Sequence, residues 1–103
     1  MRQAFRHQQF ETDLEQAAGY YATEAGIDTA LRFVDSVEAM VNRLVRNPGL
    51  GSTHYADESN PELRSLALNG FPYVLFFAQV SDQVMFWRLL HCQRDIPTHL
   101  RET

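Results

Sequence analysis

At 103 residues the chain has the length of one compact domain, and residues 1–103 are read as a single unit. A hydrophobic content of 45% with 12% aromatics excludes disorder, and five Gly with four Pro exclude a low-complexity or collagen-like chain. All nine basic residues are Arg against thirteen acids, a net charge of −4, which argues against a generic basic nucleic-acid binder and against a polybasic membrane attachment.

No apolar run approaches the roughly 18 residues that a membrane span requires. Residues 1–10 lack the continuous apolar stretch of a signal peptide. The one cysteine, Cys92, has no partner for an internal disulfide and suits a reducing compartment, so the expected location is the cytoplasm.

The first half reads as helical. Phe10, Leu14, Ala17, Ala18, Tyr21 and Ala25 recur at three- and four-residue spacing, one face of a first helix. Glu11, Asp13 and Glu15 crowd its start, where exposed N–H groups favour negative charge, and read as a solvated first turn. Gly26 is expected to end this helix in a left-handed conformation, and Asp28 to cap the next. The second helix repeats Leu31, Val34, Val37, Val41, Leu44 and Val45 and stops at Pro48, Gly49 and Gly51. The short break between the two predicts an antiparallel helical hairpin. Residues 52–62 are polar and unpatterned, a connection long enough to be mobile or functional.

The second half changes period. Leu63–Leu68 alternates loosely and leads into Asn69-Gly70, a strong hairpin signal. Residues 71–80 are nearly all apolar, a central strand buried on both faces, with Pro72 at its beginning because Pro lacks an N–H. A turn at Ser81-Asp82-Gln83 leads to a third strand over Val84–His91. Residues 2–6 are a candidate for a further strand. The predicted fold class is α+β, an N-terminal helical hairpin packed on a small antiparallel β-sheet. Charge divides along the same line: residues 1–62 carry a net of −5 and residues 63–103 a net of +1, so a site for an anionic or acidic partner is better sought in the second half.

Few residues offer chemistry. His91 and Cys92, adjacent on a strand, point to opposite faces and are read as a satisfied His beside a buried structural Cys. His7, His54, His91 and His99 lack the spacing of zinc ligands, and no phosphate-binding glycine loop or nucleophile elbow is present, so no metal, no cofactor and no catalytic residue are expected. The remaining cluster is Arg88 to Asp95. Arg88, His91 and Arg94 near one sheet edge could hold a phosphate or carboxylate. The alternative is that Arg88 pairs with an acid from the helices while Asp95 caps a short helix starting at Ile96, with Pro97 near its start.

The order of elements, together with Asp13-Leu14-Glu15, Tyr20-Tyr21, Ala30-Leu31-Arg32-Phe33, Pro48 with Gly51, Leu63-Arg64-Ser65, Phe71-Pro72-Tyr73 and Arg88-Leu89-Leu90-His91 with Arg94-Asp95, resembles the ParE branch of the ParE/RelE toxins of type II toxin–antitoxin modules. The likeness spans residues 5–100, and Arg-Leu-Leu-His-x-x-Arg-Asp after Phe-Pro-Tyr is its most specific part. It implies the family's α+β fold and a small cytoplasmic bacterial toxin held inactive by a cognate ParD-like antitoxin. ParE-like members poison DNA gyrase, whereas RelE-like members cut mRNA on the ribosome. Nuclease members are generally basic and commonly carry an Arg where this chain has Val74. The acidity and the absence of Lys therefore favour a gyrase inhibitor that acts by binding, without direct sequence-specific nucleic-acid contacts. The alternatives are a ribosome-dependent mRNA endonuclease of the RelE type, or a non-toxic member acting only in antitoxin binding and autoregulation. The expected target-binding residues are Arg64, Arg88, His91 and Arg94. Phe33, Val37 and Met40, on a flank of the second helix, are the expected antitoxin-binding residues.

Overall fold

The computed structural model describes residues 3–93. Strand β1 (Gln3–Arg6) leads directly into helices α1 (Gln8–Ala25) and α2 (Ile27–Arg46), and a single 3₁₀ turn at Pro48–Leu50 follows. The meander is β2 (Leu63–Ala67), β3 (Tyr73–Val80) and β4 (Gln83–His91). Arg94 and the expected helix from Ile96 lie outside the described residues.

The sheet order is β1-β4-β3-β2. The three meander strands are antiparallel, as expected, but β1 adds to the outer edge of β4 in parallel. The sheet is therefore mixed. The cause is topological: the helical hairpin and two strands separate β1 from β4, so a crossover rather than a tight turn joins them, and a crossover permits parallel pairing.

The helices pack on one face of the sheet. Phe10 and Leu14 of α1, and Phe33, Val37, Met40 and Leu44 of α2, meet Leu75, Phe77, Phe86 and Leu89 in the main core. Three- and four-residue spacing puts these helical positions in one stripe, and fully burying each large side chain contributes about 1.5–3 kcal/mol. Leu31 is counted in the same sequence period but stands 55% exposed, because at about 3.6 residues per turn it falls on nearly the opposite side of α2 from that stripe. A smaller cluster on the other face, Leu63, Val74, Phe76 and Leu90 with Tyr55 and Trp87, sits partly beneath the polar connection. Strand β3 is thus covered on both sides, as its unbroken apolar run predicts.

Three local expectations change. Gly26 joins α1 to α2 at φ 96°, ψ 160°, a region essentially reserved for Gly, rather than in the left-handed helical well. Gly26 is itself the N-cap of α2, so Asp28 falls in the first turn and caps nothing; His7 caps α1, its Nδ1 accepting the N–H of Gln9. Asn69-Gly70 is not a two-residue turn. The Leu68 N–H donates to the Tyr73 carbonyl at 2.9 Å, which leaves residues 69–72 as the loop, and Pro72 enforces that length by having no N–H to pair.

Arg6 ties β1 to the helical layer, and Gly51 packs tightly against β3. Arg6 at the end of β1 forms ion pairs with Glu11 of α1 (3.2 Å) and Glu38 of α2, and its guanidinium lies 5.5 Å from the Phe10 ring centroid. Gly51 has no room for a side chain. A Cβ there would stand 2.8 Å from Phe77 Cε1 and closer still to Cζ of that fully buried ring.

Candidate functional site

Strand β1 pairs with β4 only as far as Phe86, whose carbonyl accepts the His7 N–H at 2.9 Å. Past that point no strand among the described residues lies beside the outer edge of β4. The register of β4 against β3 slips at the same place: Phe77 faces Phe86, but Phe76 faces Arg88, so Trp87 is an extra residue, a β-bulge. The bulge restarts the in–out alternation. Phe86 and Leu89 belong to the core under the helices, while Trp87 and Leu90 belong to the cluster on the other face.

Helix α1 crosses the uncovered edge and supplies Asp13. One carboxylate oxygen accepts from Arg88 Nε at 2.8 Å and from the Leu89 backbone N–H at 3.0 Å; the other accepts from Arg88 Nη2 at 3.0 Å. The Asp13 and Arg88 side chains are 9% and 15% exposed, so this is a mostly buried, two-pronged ion pair that also satisfies an edge N–H. Asp13 is therefore not part of a solvated first turn. Of the three acids, Glu11 pairs with Arg6, Asp13 is enclosed, and Glu15 is exposed. For Arg88, the structure contains the internal pairing with a helical acid that the sequence offered as one of two possibilities.

Beside this pair a cleft of about 280 Å³ opens, lined by His7, Gln9, Asn60, Leu63, Phe76, Trp87 and Arg88. Its floor is apolar (Leu63, Phe76, Trp87) and its rim carries a ring nitrogen, two amides and the paired guanidinium. The bulge brings Trp87 and Arg88 to the same cleft although they are neighbours in sequence.

Of the expected target-binding residues that are described, Arg88 lines this cleft and Arg64 and His91 do not. Arg64, on β2, reaches back to the Gly51 carbonyl, with Nη1 at 3.4 Å. His91, at the end of β4, packs edge-on to Tyr73 with ring centroids 5.4 Å apart, and its Nδ1 accepts the Gln93 N–H. Arg94 lies outside the described residues. Phe33, Val37 and Met40, expected on an open flank of α2, are instead buried in the main core at 0, 0 and 7% exposure. The reason is that α2 turns this stripe onto the sheet, and Tyr21, Phe71 and Tyr73 close around Phe33. Cys92, read as buried, is exposed just past the end of β4.

Sequence reasoning did not single out Trp87, Phe76, Leu63, His7, Gln9 or Asn60 as site residues. The sole tryptophan beside an arginine was the one available signal; the bulge that makes the pair a site left no mark in the sequence.

Among the described residues, no three His, Cys, Asp or Glu side chains gather as a metal site, and no helix is long and apolar enough to cross a membrane. The helical hairpin on a mixed four-stranded sheet is an arrangement shared with a solved structure. That structure, described as a chromosomal ParDE TA system from P. aeruginosa, aligns with a TM-score of 0.77 at 19% identity, over 90% of this chain and 98% of the other. The sequence itself matches, over residues 5–96, the model of the ParE toxin of type II toxin–antitoxin systems, parDE. The chain belongs to the ParE toxin family. No curated protein matches it.

Proposed function

We propose that this ParE-type toxin acts without catalysis, in the cytoplasm, by binding DNA gyrase, and that a cognate ParD-like antitoxin neutralises it. The observation that carries this reading is the pairing of Arg88 with Asp13. A cleft that held RNA phosphate would gain most from an uncompensated guanidinium, whereas here the cleft's cation faces an internal carboxylate at contact distance. A near-neutral cleft with an aromatic floor instead suits an apolar anchor of a protein partner, with a polar rim around it. The net charge of −4 adds repulsion against nucleic acid.

The target-binding face on this reading centres on Arg88 and includes Trp87, with Arg64 and His91 contributing from its surroundings; Arg94, outside the described residues, belongs to the same reading by sequence. Supercoiling by purified gyrase and mRNA cleavage on programmed ribosomes, measured in parallel with the toxin, test the reading. Inhibition of the first without the second is expected; the reverse pattern refutes it.

A further inference from the structure

Asp13 sits on α1, outside the set of residues that line the cleft, yet it touches β4 at the one place where the strand departs from regular pairing. A bulge leaves an unpaired residue and a weakened ladder. Here that weakness coincides with the loss of β1 as a neighbour, so among the described residues the segment Trp87–Leu89 has regular strand pairing on one side only. Asp13 compensates on the open side. Its carboxylate binds the Leu89 N–H, which stands where a further strand would have bonded, and grips Arg88 through two parallel hydrogen bonds. The three bonds fix the backbone just after the bulge and the Arg88 side chain together, and the direction of Trp87 follows from that backbone.

We infer that Asp13 is a positioning residue for the target-binding face: it locks the β4 bulge in the form that lays Trp87 and Arg88 along the cleft. The inference rests on the functional reading above, which places Trp87 and Arg88 on that face. Asp13 acts through Arg88 and Leu89 and needs no contact with the target.

Trp87 is the only tryptophan in the chain, so its fluorescence reports the bulge directly and without the target. In Asp13→Asn the amide presents a donor to the Arg88 donors and cannot reproduce the two-pronged grip. The expected result is a shift of Trp87 emission to longer wavelength and a loss of gyrase inhibition of about tenfold or more, with antitoxin affinity changed by about twofold or less. In an Arg88→Ala background the same substitution should change inhibition by less than it does in the parent, because only the bond to the Leu89 N–H remains to be altered. Arg88→Lys is the second variant. It keeps the charge but not the fork, and should shift the emission and weaken inhibition in the same direction. Unchanged emission and full inhibition in Asp13→Asn or in Arg88→Lys overturn the inference, as does a parallel loss of antitoxin affinity, which would mark a purely structural role. Trp87→Ala separates the two claims. If it loses inhibition while Asp13→Asn does not, the face stands and the positioning inference falls; if it inhibits fully, the face is elsewhere and both fall.

Discussion

Asp13 and Arg88 are 75 positions apart in sequence, yet they form a two-pronged ion pair that joins α1 to the free edge of β4. Both side chains are mostly shielded from water, so deleting either strands the other as a buried charge. Asp13→Ala is expected to lower unfolding stability by about 3 kcal/mol, within the range for breaking a buried pair. The double variant Asp13→Ala/Arg88→Ala should cost clearly less than the sum of the single variants. Urea unfolding of the four proteins of this cycle measures the coupling; additive losses would mean that the pair is solvated in solution.

Gly51 is a matter of space. Its φ of −73° suits any residue, but a Cβ would run into the Phe77 ring. Gly51→Ala should destabilise by about 1–3 kcal/mol, the range for overpacking a filled core. Phe77→Leu, which removes the obstructing ring edge, should recover part of that loss when combined with it. Thermal melts of the single and double variants check this.

Phe33 and Leu31 are two positions apart on α2 but face different surroundings, 0% and 55% exposed. Phe33→Ala is expected to cost about 3–5 kcal/mol through the cavity it leaves. Leu31→Ser should stay within about 0.5 kcal/mol of the parent. Comparable losses at the two sites in urea unfolding would contradict the packing described for α2.

Arg6 has its guanidinium pKa raised: burial alone would lower it, but hydrogen bonds and charge from Glu38 and Glu11 outweigh that. A cation whose folded pKa is raised adds stability below its unfolded pKa and loses it as pH climbs through the folded value. Both lie at strongly alkaline pH, so Arg6 imposes no titration of its own through the neutral range. Its ion pairs are partly exposed, and Arg6→Ala should cost about 1 kcal/mol or less, with the difference shrinking as salt is added. Unfolding measured at low and high ionic strength tests the sign.

Much of the fold was legible because it depends on periodicity. The three- and four-residue stripes of α1 and α2 and the unbroken apolar run of β3 each specify an element and the face it buries. The parallel placement of β1 was not legible, since four residues with mostly exposed side chains carry no pattern that selects a neighbour. The site was harder still. Asp13 reads as one of three acids in a first turn, and only the crossing of α1 over β4 separates it from Glu15. Trp87 and Arg88 sit at consecutive positions, which strict alternation assigns to opposite faces; the bulge cancels that rule. Phe33, Val37 and Met40 carry the apolar character of a binding stripe and of a core stripe alike, and tertiary packing decided between them. The ParE-like sequence elements extend through both halves, which is why the family could be read where the geometry of its site could not.

The central claim is inhibition of gyrase through the Trp87–Arg88 face. Its most direct test is the supercoiling of relaxed plasmid by purified gyrase, titrated with the toxin alone, with the antitoxin complex and with Trp87→Ala. The account predicts dose-dependent inhibition by the free toxin, relief by the antitoxin, and a marked loss of potency in Trp87→Ala. Undiminished supercoiling at every concentration of correctly folded toxin would contradict it.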